Sequence, residues 1–187
     1  MNQFTNPLHL SITVRKLAWI MALAGIAAPL PMLAAEGPGL GVPASPQEIA
    51  AWNLTIFPDG RGLPPGHGSA VEGKLVYQHY CASCHGANGS GGSSEELAGA
   101  KHGLTEAIPD KTIGTYWPSA TTLFDFVRRS MPPDAPGSLS GDQLYAVCAF
   151  LLNLNGIVSE SAEMNAATLA QVKMPNREGF VRIDAQK

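Results

Sequence analysis

The sequence predicts an all-α fold: a few helices in one domain, with irregular extensions before and after it. Three observations point there. Segments between residues 69 and 156 carry helix starts, apolar positions at helical spacing and helix stops. The stretches on either side are rich in Pro and Gly or only weakly helical. The first of the helices runs into Cys81-Ala82-Ser83-Cys84-His85-Gly86, a motif that needs a helical turn to bring its side chains together.

Residues 1–35 read as a secretory leader rather than as fold. Arg15 and Lys16 give it a basic start, and 17–28 is an apolar run too short to span a bilayer comfortably. Pro29 and Pro31 end that run, and Met32-Leu33-Ala34-Ala35 offers a cleavage site before Glu36. An uncleaved membrane anchor is the alternative. Residues 36–68 form a Pro/Gly-punctuated N-terminal arm, in which only 52–57 looks like a short extended apolar segment.

The helical domain is expected over 69–156. Ser69, followed three residues later by Glu72, has the form of a capping box opening the first helix. Leu75, Val76 and Tyr80 fall near one of its faces, while Gly73 and Tyr77 stack one turn apart. A Gly/Ser loop fills 86–103; it lacks the Gly-Lys-Ser/Thr ending of a phosphate-binding loop. Pro118-Ser119 precedes a second helix over 120–129, whose last turn carries Arg128 and Arg129, cations that suit a helix C-terminus. Met131-Pro132-Pro133 stops it. Ser140 and Gln143 open a third helix bearing Leu144, Val147, Cys148, Leu151 and Leu152, ended by Asn155-Gly156. A C-terminal arm, 157–187, holds one weak helical piece over 163–172.

Cys81-x-x-Cys84-His85 reads as an attachment site for one covalent c-type haem. Two thiols three positions apart reach the two vinyl groups of one porphyrin, and the next residue aims its imidazole at the iron. Gly86 leaves the chain free to pass the haem edge. A dithiol oxidoreductase would place its Cys-x-x-Cys near a βαβ pattern, which these flanks do not resemble. Zinc needs four ligands, normally two separated pairs, and Cys148 is the sole further thiol. A Cys81–Cys84 disulfide would leave His85 without a purpose. Such haem attachment takes place outside the bacterial cytoplasm, so motif and leader support each other and imply a periplasmic protein.

A closed electron carrier needs a sixth iron ligand. Met131, just past a helix end and stiffened by Pro132 and Pro133, is the leading candidate; Met174 and His102 remain alternatives. His79 lies on the helix leading into the attachment site and cannot reach the opposite face. Cys148, on the apolar stripe of the third helix, is expected to be a small buried hydrophobe. Trp117 is either a core aromatic or a residue whose indole N–H reaches a haem propionate. No nucleophile–base pair stands at motif spacing, so any reaction chemistry belongs to a partner. Loss of 1–35 would leave 10 basic and 15 acidic side chains, a net charge of −5 against −3 for the whole chain, which argues against nucleic acid as a partner.

The helix ending in Cys-x-x-Cys-His, the downstream Met-Pro and the final Leu154-Asn155-Gly156 resemble a class I cytochrome c over 69–156. A narrower likeness also stands out. Trp52 with Pro58-Asp59-Gly60-Arg61-Gly62-Leu63-Pro64-Pro65-Gly66, the runs 112–118 and 121–125, Arg128-Arg129-Ser130-Met131-Pro132, and Met174-Pro175-Asn176-Arg177-Glu178-Gly179-Phe180 are similar to the cytochrome subunit of periplasmic sulfane or sulfite dehydrogenases. The resemblance implies Cys81 and Cys84 as thioether positions and His85 and Met131 as axial ligands. It also implies a molybdenum-cofactor subunit as electron donor and a downstream cytochrome or oxidase as acceptor. Some members of that family carry two haem domains, whereas this chain has one attachment motif. The rival readings are a free cytochrome serving a terminal oxidase, and a haem enzyme or gas sensor with an open iron site. The arms discriminate against the first, since a free carrier has little need of them; their apolar residues (Trp52, Leu54, Ile56, Phe57; Met174, Phe180, Val181) are expected to mark a partner surface, with the C-terminal arm docking on the dehydrogenase.

Overall fold

The computed structural model describes residues 40–181. The expected leader, 1–35, lies outside the described residues. Two compact units divide the chain after Pro43, and the elements all belong to the second, Ala44–Lys187. In order these are α1 (Pro46–Trp52), β1 (His67–Ser69), α2 (Ala70–Tyr80), α3 (Ala82–His85), α4 (Ile113–Tyr116), α5 (Ala120–Ser130), α6 (Gly141–Leu154), β2 (Glu163–Asn165) and α7 (Ala166–Leu169). No helix among the described residues is long and apolar enough to cross a membrane.

The three main helices begin where their caps place them. The Ser69 hydroxyl accepts from Glu72 N–H while Glu72 reaches back to Ser69, and Ser140 and Gln143 do the same at α6. Ser119 caps α5 by accepting from the Thr122 N–H at 3.3 Å. A further box, Ser45 with Glu48 and Pro46 in the first turn, opens α1. The 52–57 stretch is therefore not an isolated extended segment: Trp52 ends a helix, and Ile56 is buried in the core.

The centre of the domain is the pairing of α2 with α6. The face α2 buries is Ala70, Gly73 and Tyr77, not the face of Leu75, which is 68% exposed. Close approach explains the choice. A Cβ at Gly73 would run into the Ala146 carbonyl, so the missing side chain lets the two backbones meet. Tyr77 then packs its ring on Phe150, centroids 5.1 Å apart. Phe124 of α5 packs on Tyr145 from the other side of α6 at 4.7 Å.

Both flanking segments fold onto this core. β1 and β2 pair antiparallel, with Gly68 opposite Met164. The Tyr145 hydroxyl donates to the Pro64 carbonyl at 2.8 Å, and the Thr121 hydroxyl to that of Pro58 at 3.3 Å. Met164, Leu169 and Met174 are buried with the helical residues in one cluster. The 163–172 piece is a short strand followed by a single helical turn, because Asn165 caps α7 through its side-chain oxygen and so ends the strand. The expectation of arms whose apolar residues serve a partner is thus corrected for Ile56 and Met174, which complete the core; Trp52, Phe57, Phe180 and Val181 stay exposed.

Candidate haem site

The attachment motif occupies a break between two helices. α2 ends at Tyr80, Cys81 leaves helical geometry, and Ala82–His85 makes one further turn. The Cys81 carbonyl accepts from both the Cys84 and His85 N–H groups, at 3.2 and 3.0 Å. That turn delivers both sulfurs and the imidazole to one wall of a cavity of about 530 Å³. Gly86 closes the turn at φ +80°, where a Cβ would meet the Ser90 carbonyl. The turn itself thus requires glycine at this position.

The other walls come from distant parts of the chain. Met131 and Pro132 enter past the C-terminus of α5, joined by a cis peptide bond. Leu123 and Val127 of α5 and Val147 and Leu151 of α6 form the apolar floor. Ile113 and Trp117 bracket α4, and the loop contributes Ser93 through Leu97. Cys81, Cys84, His85, Trp117 and Met131 therefore meet in one space. The alternative ligands do not. Met174 and Met164 are in the core, and neither they nor His67, His79 and His102 line the cavity. His102 is instead paired with Glu106 at 2.9 Å.

The His85 ring is fixed by a hydrogen bond to the loop. Its Nδ1 lies 2.8 Å from the Glu95 carbonyl oxygen. A carbonyl only accepts, so Nδ1 carries the proton and Nε2 keeps a free lone pair. Such an outer partner fixes the ring and raises its basicity toward a metal. The loop bearing Glu95 is tied down in turn. Asn155 donates to the Leu97 carbonyl at 3.1 Å and to that of Leu151 at 2.8 Å, and accepts from the Gly114 N–H at 3.0 Å. One side chain thus joins the loop, α4 and α6, all of which line the cavity. Sequence reasoning assigned Asn155 only a helix-stop role and did not find Glu95, since a backbone acceptor leaves no mark on residue type.

The thiols bear on the rival readings. Burial, and then the neighbouring Cys84, push the Cys81 thiol up to about 11. A dithiol oxidoreductase needs its attacking thiol lowered, so this environment is wrong for it. Among the described residues no group of three or more His, Cys, Asp and Glu side chains is placed to hold a metal ion by itself. Cys148 is fully buried on α6 and its thiol is pushed far up by that burial, as suits a core residue.

A helical domain that brings a Cys-x-x-Cys-His turn and a methionine to one apolar cavity defines a class I c-type haem protein. The family model for cytochrome c matches residues 70–155. A chain in the crystal structure of the sulfane dehydrogenase SoxCD from Paracoccus pantotrophus is 43% identical, with a TM-score of 0.74 over 80% of this chain and 74% of that one. No curated protein sequence matches. The chain belongs to the cytochrome c family, and its domain is an electron-transfer domain. The family implies covalent haem c, and the residues present fit it: two sulfurs, an imidazole with a free Nε2, a thioether and an apolar enclosure of pocket size.

Proposed function

We propose that this chain is a single-haem electron carrier, the electron-accepting subunit of a periplasmic molybdenum-dependent sulfite or sulfane dehydrogenase. The observation that carries the site reading is the convergence of Cys81, Cys84, His85 and Met131 on one cavity. When bound, haem supplies one-electron cycling between ferrous and ferric iron. The chain's residues do the rest. Cys81 and Cys84 hold the group through thioether bonds. His85, its ring oriented by the Glu95 carbonyl, would offer Nε2 to the iron, and Met131 would offer its sulfur. Trp117, in the cavity wall, would offer its indole N–H to a haem propionate. The apolar floor excludes water, which with thioether ligation favours the ferrous state. Residues 1–35 export the chain and are removed before Glu36, 69–156 form the haem domain, and the surrounding segments complete it.

The subunit role rests on the similarity to a sulfane dehydrogenase chain, together with the motifs in 58–66 and 112–118 and the absence of a catalytic constellation in the sequence. The reaction chemistry then belongs to the molybdenum partner, and a cytochrome or oxidase takes the electrons onward. Purification of the native complex from periplasm, with molybdenum and haem assays on the same fractions, tests this. Equimolar molybdenum and haem with sulfite- or sulfane-dependent reduction of the cytochrome is the expected result. A haem protein that elutes alone and without molybdenum would instead be a free carrier.

A further inference from the structure

We infer that the segment 174–180 is a strap that positions Trp117 through Asn176, and so sets how tightly the haem cavity is closed. The inference rests on the proposed haem site. Met174, 4% exposed, anchors one end of the strap in the core. Two turns shape the residues after it, Arg177 N–H to the Met174 carbonyl at 3.2 Å and Gly179 N–H to that of Asn176 at 3.1 Å. Between them the Asn176 side chain donates from Nδ2 to the Tyr116 carbonyl at 2.7 Å, across 60 residues of sequence. That carbonyl ends α4, a four-residue helix too short to satisfy its own last acceptors.

The Tyr116 carbonyl and the Trp117 N–H share one peptide plane. A bond that fixes this plane fixes the direction in which Trp117 leaves the backbone. The Trp117 ring lines the cavity and meets Phe126 edge-on at 5.6 Å; Phe126 also lines it and is 44% exposed. Phe180 seats on the Tyr116 ring at 5.3 Å, so the strap grips the same residue a second time. Lys111 lies over that ring as well, 5.5 Å from its centroid. Gly179 belongs to the device: a Cβ there would overlap the Asn176 amide oxygen and displace the group that makes the bond. Asn176 is thus a positioning residue. Without it the Trp117 wall loosens, water reaches the haem, and the ferric state gains.

Two substitutions in the full, haem-loaded chain test this without touching the Met174 anchor. Asn176→Leu removes the donor, and Gly179→Ala displaces it. Both are expected to lower the midpoint potential and alter the Soret circular dichroism while keeping the sulfur-to-iron charge-transfer band. In a Trp117→Phe background the Asn176→Leu shift should shrink, because the two residues act through one wall. Should one variant fail to accumulate, the other decides. Wild-type potential and Soret dichroism in the variants, even with a lower melting temperature, would overturn the inference, as would an Asn176→Leu shift undiminished by Trp117→Phe. Loss of the charge-transfer band in both variants would also overturn it, since the strap would then hold the fold rather than Trp117. Absence of that band, or of covalent haem, in the unsubstituted chain would instead refute the site reading.

Discussion

At the scale of single residues the site sets apart side chains of the same kind. Of the described methionines, Met131 reaches the cavity while Met164 and Met174 are core residues. Met131→Ala should therefore abolish the sulfur-to-iron charge-transfer band and lower the potential, since a thioether favours ferrous iron. Met174→Ala should leave the band in place; if it removes the band while Met131→Ala spares it, the ligand assignment is reversed. The cysteines divide in the same way. Cys81 and Cys84 line the cavity, and Cys148 lies in the core cluster with no access to solvent. Cys148→Ala should cost on the order of 1 kcal/mol through a small cavity, read by urea unfolding, with an unaltered haem spectrum. A spectral change would give Cys148 a part in the site.

At the scale of elements the seam between α2 and α6 is the sensitive one. Gly→Ala inside a helix ordinarily gains about 1 kcal/mol from propensity. At Gly73 the added Cβ meets the Ala146 carbonyl and crowds Phe150, and forcing the helices apart costs about 1–3 kcal/mol or more. The clash should win, so Gly73→Ala should lower the urea midpoint with little change in slope. A more stable variant would mean that the helices do not meet at Gly73. This seam also shows what was legible beforehand. The starts of α2, α5 and α6 were readable because a cap is a local signal, with Ser and its partner three residues apart. The buried face of α2 was not, because Gly73 contributes nothing to an apolar count and matters only once Ala146 is opposite it. The Ser45 and Glu48 box was masked by neighbouring prolines. In the site, Cys81, Cys84 and His85 were marked by residue type and spacing, and Met131 and Trp117 by their places at the two ends of α5. Asn155 and the Glu95 carbonyl act across the fold, and nothing local announces them.

At the scale of the molecule, acid and truncation probe how the parts depend on one another. Glu72, Glu106 and Asp110 have their carboxyls held below the ordinary values of 4.5, 4.5 and 3.8, chiefly by backbone N–H groups of Ser69, of Gly103, and of Lys101 and His102. A lowered folded pKa gives stability that is complete above the unfolded value and is lost as pH falls through the folded one. Thermal midpoints should therefore be flat through about pH 5–7 and drop below about pH 4; a maximum at about pH 4 would contradict these bonds. The C-terminal segment is the sharper case. Removing the chain after Ile157 deletes β2, which pairs with β1, together with Met164, Leu169 and Met174 from the core. Each such side chain contributes about 1.5–3 kcal/mol when buried, and a domain of this size has only about 5–15 kcal/mol in total. Truncation should then yield a chain that is degraded, or that holds its haem in an expanded state lacking the charge-transfer band. A truncated cytochrome with full stability and a native spectrum would show that the core does not depend on the segment.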